Sequence, residues 1–85
     1  MAVTKEQVLE IVKGHLLDLL EDELEEEDFD PAKSMKDLGA NSLDIVEVVS
    51  STMRDLKVKV PRSELSKLTN VQELVDMLFE AANKA

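Results

Sequence analysis

Between residues 71 and 82, apolar side chains fall at Val71, Leu74, Val75, Leu78, Phe79 and Ala82. That i, i+3, i+4, i+7, i+8 spacing belongs to a helix with one buried face. It also commits the rest of the chain, because such a face needs partners of the same kind. The chain has 85 residues, no Cys, Trp or Tyr and only Phe29 and Phe79. A core of this size cannot rest on disulfides or large aromatic anchors, so aliphatic helices must bury one another.

Further helices are legible upstream. Thr4-Lys5-Glu6-Gln7 reads as a capping box, and Val8, Ile11, Val12, Leu16, Leu19 and Leu20 follow at helical spacing, which predicts a first helix over about residues 4–21. Gly14 inside it costs about 1 kcal/mol relative to Ala and suggests close approach of another helix. A second helix is expected over 42–56, with Leu43, Val46, Val49, Met53 and Leu56 as its most regular stripe and Ile45 and Val48 widening the apolar face. Lys57-Val58-Lys59-Val60 alternates but is short and lacks an obvious partner strand, so it reads as extended linker. Pro61-Arg62-Ser63-Glu64-Leu65 predicts a short helix opened by Pro. Two overlapping caps, Thr69 with Gln72 or Asn70 with Glu73, precede the last helix. The expected fold is all-α: a small four-helix bundle of three principal helices and one short one, in a single domain over residues 1–85.

Residues 21–38 form a long connection between the first two helices. Its start, Glu21 to Asp28, is too like-charged for a comfortable helix. Pro31 is placed to open a short helical turn through Met35, and Phe29, Met35 and Leu38 are spaced to pin the loop to the core.

Net charge is −9, which argues against nucleic acid or an anionic membrane as partner. The charge is uneven: residues 1–40 carry −8 and residues 41–85 carry −1. Met1-Ala2-Val3-Thr4 reads as a native start, and neither a signal-peptide core nor a membrane-length apolar run is present. A cytoplasmic monomer is the expectation.

Most catalytic constellations are missing. His15 is the single histidine and has no nearby nucleophile, so it reads as a structural or surface residue. The acidic run lacks the alternating Asp/Asn positions and central Gly of a calcium loop, and no zinc pattern exists. An enzyme is therefore not expected.

One segment remains: Leu38-Gly39-Ala40-Asn41-Ser42-Leu43-Asp44. Gly39 supplies the backbone freedom for a sharp turn, Asn41 is a strong N-cap, and Ser42 then stands where free N–H groups and the helix dipole favour a phosphate. Locally, the same residues also suit an ordinary helix cap.

The order of all these parts resembles the acyl carrier protein family over essentially the whole chain. The parts are a first helix, a long loop, the Ser42 segment opening an acidic second helix, Val60-Pro61 before a short helix, and a closing amphipathic helix. The resemblance implies that a phosphopantetheinyl transferase attaches 4′-phosphopantetheine to Ser42, whose arm then carries acyl groups as thioesters. The reactive sulfur would come from the arm, which fits a chain without Cys. It also implies docking through the second helix, at Asn41, Leu43, Asp44, Val46 and Glu47.

Some residues depart from the fatty-acid members of the family. Asn41 stands where Asp is usual, and Met53 and Arg54 stand where acids are common; residues 53–67 carry +3, with Arg62 and Lys67 among the bases. Met53, Arg54 and Arg62 therefore join the expected docking residues. Gly39-Ala40-Asn41-Ser42 and Val60 to Leu65 look more like discrete polyketide carriers, particularly donors of acetyl units to an HMG-CoA-synthase-like enzyme for β-branching. The Gly-Gly-His-Ser start common in peptidyl carriers is absent. Implied partners are the transferase and an acyltransferase, a ketosynthase or such a synthase. A fatty-acid carrier and an unmodified acidic helical adaptor are the alternatives. Met35 and Met53 suit a core that opens around cargo, and equally serve as filler.

Overall fold

Each long helix begins where a side chain can satisfy its first amides. The computed structural model describes residues 3–21, 23–65 and 68–83. Among them are four α-helices, α1 (Lys5–Leu19), α2 (Ser42–Leu56), α3 (Arg62–Leu65) and α4 (Val71–Asn83), and no strand. The expected all-α bundle of three principal helices and one short helix is what forms, with principal extents of 36 × 24 × 20 Å.

At the head of α1 the Thr4 hydroxyl accepts from the Gln7 amide at 3.1 Å and the Gln7 side chain accepts from the Thr4 amide at 2.9 Å. Val8, Val12, Leu16 and Leu20 are buried. Steps of four residues turn the buried face by about 40° each, so it spirals along the helix. Leu19, expected in the core stripe, is left at its edge and is 41% exposed. Gly14 is exposed, and a Cβ there would meet nothing within 4 Å, so no helix approaches it. That expectation was wrong.

α1 packs against both α2 and α4. The core face of α4 is fully used: Val71, Leu74, Val75 and Leu78 have essentially no exposure. At about 1.5–3 kcal/mol for each such side chain, this face is a main source of burial energy. Of the two overlapping caps, Asn70 takes the capping role, its Oδ1 accepting from the Glu73 amide at 2.8 Å. The Glu73 carboxylate turns back to accept from the Thr69 amide at 3.2 Å and from the Thr69 hydroxyl.

The long loop is tied down. Leu24, Leu38 and Ala40 are buried, and Phe29 and Met35 are half-buried against the same core. Its acidic run forms only a single 3-10 turn, Glu26–Asp28. Lys13 reaches that turn, 3.1 Å from Glu26 Oε1 and 5.7 Å from the centre of the Phe29 ring. Pro31 does not open a helical turn. Asp30 instead closes a tight turn, with its Oδ1 accepting from the Ala32 amide at 2.9 Å and its carbonyl from the Lys33 amide at 3.0 Å. The helical turn comes later, where the Ser34 hydroxyl accepts from the Asp37 amide at 3.0 Å. The Lys33 and Pro31 carbonyls then accept from the Val71 and Gln72 amides at 3.0 and 2.9 Å, so the loop caps the start of α4.

α2 differs from its expected stripe. Its buried residues are Val48, Val49 and Thr52, flanked by half-buried Ile45 and Leu56. Leu43 and Val46 face outward at 81% and 46% exposure. Apolar spacing fits two faces of this helix, and burial of Thr52 decides between them. Its hydroxyl donates to the Val48 carbonyl at 2.8 Å, which removes the penalty of an unpaired polar group in the core. Beyond Leu56 the chain leaves the helix at Lys57 and forms no strand over 58–60, with Val58 and Val60 half-buried and Lys57 and Lys59 exposed. The Pro61 carbonyl accepts from the Glu64 and Leu65 amides at 3.0 and 3.2 Å, which starts α3 one residue after the proline.

Candidate functional site

The turn into α2 is built from the backbone outward. Gly39 has φ +113°, a conformation that side-chain-bearing residues rarely adopt. Its amide bonds the Lys36 carbonyl at 3.1 Å, and the amide of buried Ala40 bonds the Met35 carbonyl at 2.9 Å. The chain then extends through Asn41, whose Oδ1 accepts from the Asp44 amide at 2.9 Å. Asp44 Oδ2 returns the bond, accepting from the Asn41 amide at 3.1 Å. This reciprocal cap occupies part of the Asp44 carboxylate, which is half-buried. Glu47, one turn on, is exposed and has no ion-pair partner among the described residues.

Ser42 is the first residue of α2 and is exposed. The Asp44 and Ile45 amides are satisfied by Asn41, whereas the Ser42 and Leu43 amides donate to no acceptor among the described residues. An oxygen on Ser42 that carried a phosphodiester would therefore meet two free N–H groups and the positive end of the helix dipole. Among the described residues, the single histidine does not stand beside the hydroxyl as a base. His15 Nε2 is held 2.7 Å from Asp55 Oδ2, and Asp55 lies about 20 Å along the helix axis from Ser42.

These parts agree with comparisons to known proteins. Residues 10–78 match the phosphopantetheine attachment site family. The chain belongs to the acyl carrier proteins. It is 32% identical over 81 residues to the polyketide biosynthesis acyl-carrier-protein AcpK of Bacillus subtilis (strain 168), covering 95% of this chain and 98% of that one. It is 40% identical over 47 residues to an acyl carrier protein of Campylobacter concisus (strain 13826), covering 55% of this chain and 61% of the other. Among solved structures, it matches a chain in the crystal structure of the curacin biosynthetic pathway HMG synthase in complex with acetyl donor-ACP. There the TM-score is 0.77 and the identity 40%, with 95% of this chain and 100% of that chain covered.

Membership decides between a carrier and an unmodified adaptor in favour of the carrier. Acyl carrier proteins bear 4′-phosphopantetheine and are carriers rather than catalysts. The residues present fit that group: an exposed hydroxyl, two free amides beside it, and no competing thiol anywhere in the sequence. When attached, the group supplies the thiol on which acyl units ride.

The surroundings of Ser42 are uneven. Leu43 and Val46 form an exposed apolar patch next to it, with Glu47 alongside. Met53 is half-buried, and with Ile45, Val46, Val60 and Leu65 it lines an apolar groove of about 360 Å³ beside α2 and α3. Arg54 is exposed on the last turn of α2. Arg62 opens α3, but its side chain lies outside what is described, as does Lys67. Leu19 was missed by sequence reading. It lines hollows with Asn41 and Asp44 and with Glu47, so the apolar surface beside the acids extends onto α1. Its position in a helical repeat marked it as core, and only the spiral of the α1 face exposes it.

No described helix is long and apolar enough to cross a membrane.

Proposed function

We propose that Ser42 is the residue that takes 4′-phosphopantetheine, and that the carrier presents an acetyl thioester to an HMG-CoA-synthase-like enzyme during polyketide β-branching. Exposure of Ser42 at the capped start of α2 is the observation that carries the first part. The second is supported by likeness to a carrier that forms a complex with an HMG synthase as acetyl donor, and to a polyketide carrier over nearly its whole length. Asn41 in place of an acid, and Arg54 late in α2, separate this chain from the acidic pattern of fatty-acid carriers.

In this reading residues 1–85 act as one carrier unit, monomeric and cytoplasmic. A phosphopantetheinyl transferase installs the arm, an acyltransferase or ketosynthase is the other kind of enzyme it meets, and Asn41, Leu43, Asp44, Val46, Glu47, Met53, Arg54 and Arg62 form the docking surface. The carrier loaded with acetyl should acetylate such a synthase, and the same carrier loaded with malonyl should not. Equal transfer of both groups, or of neither, would reject the donor role.

A further inference from the structure

The outward face of α2 changes sign along its length. Leu43, Glu47, Ser50 and Arg54 succeed one another at steps of three or four residues, so they share one face, and Lys57 follows just past the helix end. The Ser42 end presents apolar surface and a free acid. The far end presents Arg54, Lys57 and Lys59, all exposed. None of these three has an ion-pair partner among the described residues. The one acid within this stretch, Asp55, points the other way and is held by His15 at 2.7 Å. In a chain of net charge −9, three cations in six residues, none of them in an ion pair, are a departure from the rest of the surface, and of the three Lys59 alone lines a hollow with acids, Glu64, Glu73, Asp76 and Glu80.

Local structure does not require all three. A cation near the helix C-terminus interacts favourably with the dipole, but that effect fades beyond the last turn, before Lys59. Lys57 holds the left-handed position that ends α2, at φ 58°, where Gly is the cheapest residue. Glu47 and Lys57 stand about 15 Å apart along the axis, more than one Debye length at 0.1 M salt. A partner lying along this face therefore meets two separate charges.

We propose that Arg54, Lys57 and Lys59 form a second docking point that recognises an acidic patch on the acetyl-accepting synthase, with Arg54 and Lys57 about 18 and 22 Å along α2 from the Ser42 that bears the arm. Paired with Glu47 near the serine, it fixes the direction in which α2 lies on the enzyme, because the reversed arrangement sets like charges against each other. The inference rests on the donor reading above and names the partner surface that reading requires.

The test uses acetyl-loaded carrier and the HMG synthase of the curacin pathway as probe, with loading verified by mass. In 0.05 M salt the triple variant R54E/K57E/K59E should raise KM for acetyl transfer at least tenfold while kcat stays within twofold. The neutral set R54Q/K57Q/K59Q should fall between it and wild type, and it keeps the test valid if the reversed variant does not fold. Raising salt to 0.5 M should raise KM for wild type and lower it for the reversed variant. Wild type that transfers acetyl, alongside variants whose KM matches it at both salts, overturns the basic docking point alone. Wild type that transfers no acetyl at either salt overturns the donor reading and this inference with it.

Discussion

α4 and α2 are both amphipathic helices of 13 and 15 residues, yet they spend their apolar side chains differently. Nearly the whole stripe of α4 lies in the core, with Val71, Leu74, Val75 and Leu78 inaccessible to solvent. α2 buries Val48, Val49 and Thr52 and leaves Leu43 and Val46 in solvent beside Ser42. The contrast separates two uses of hydrophobicity. A stripe matched to its neighbours stabilises the fold, whereas the exposed surplus beside Ser42 adds little to the core and, in the proposed reading, serves a partner protein.

Mutations can break that contrast in order of size. Leu74→Ala in α4 should destabilise the carrier by about 2–5 kcal/mol in denaturant melts, because it leaves a cavity at a fully buried site. Asn41→Ala should cost about 1 kcal/mol through loss of the reciprocal cap, and Asn41→Asp should retain it. Gly14→Ala should raise stability by about 0.5–1 kcal/mol, since the added methyl meets open space inside a helix. Leu43→Ala should change stability by less than about 0.5 kcal/mol but weaken acetyl transfer to the synthase. A large loss of stability in Leu43→Ala would erase the distinction between the two helices.

What could be read beforehand was local. Thr4 with Gln7, Asn70 with Glu73 and the turn at Gly39 each join residues a few positions apart, so their chemistry is written in adjacent letters. Helical spacing also placed α1, α2 and α4 to within two residues at the ends that can be compared. What stayed hidden was orientation and distance. Periodicity gives the spacing of an apolar stripe but not which flank meets the core, so Leu19 was assigned inward, and Leu43 and Val46 fitted both a core stripe and a docking surface until their exposure was seen. Thr52 was overlooked because a hydroxyl reads as polar until its bond to the Val48 carbonyl is seen. The loop carbonyls that cap α4, and the His15–Asp55 pair 40 residues apart, join parts of the chain that no local pattern connects.

The same limit applies at the serine. Its N-cap and its glycine turn were visible as residues, but whether the hydroxyl faced solvent depended on Ala40 and Leu38 being drawn into the core behind it. Burial of those two side chains turns the first residue of α2 outward, between an apolar patch and a free acid.

Intact-mass measurement after incubation with coenzyme A and a phosphopantetheinyl transferase tests the role of Ser42 most directly. Wild-type chain should gain one phosphopantetheine and Ser42→Ala none, with both proteins folded by circular dichroism. An unchanged wild-type mass under conditions that load another carrier, or a Ser42→Ala variant that still gains the group, would contradict it.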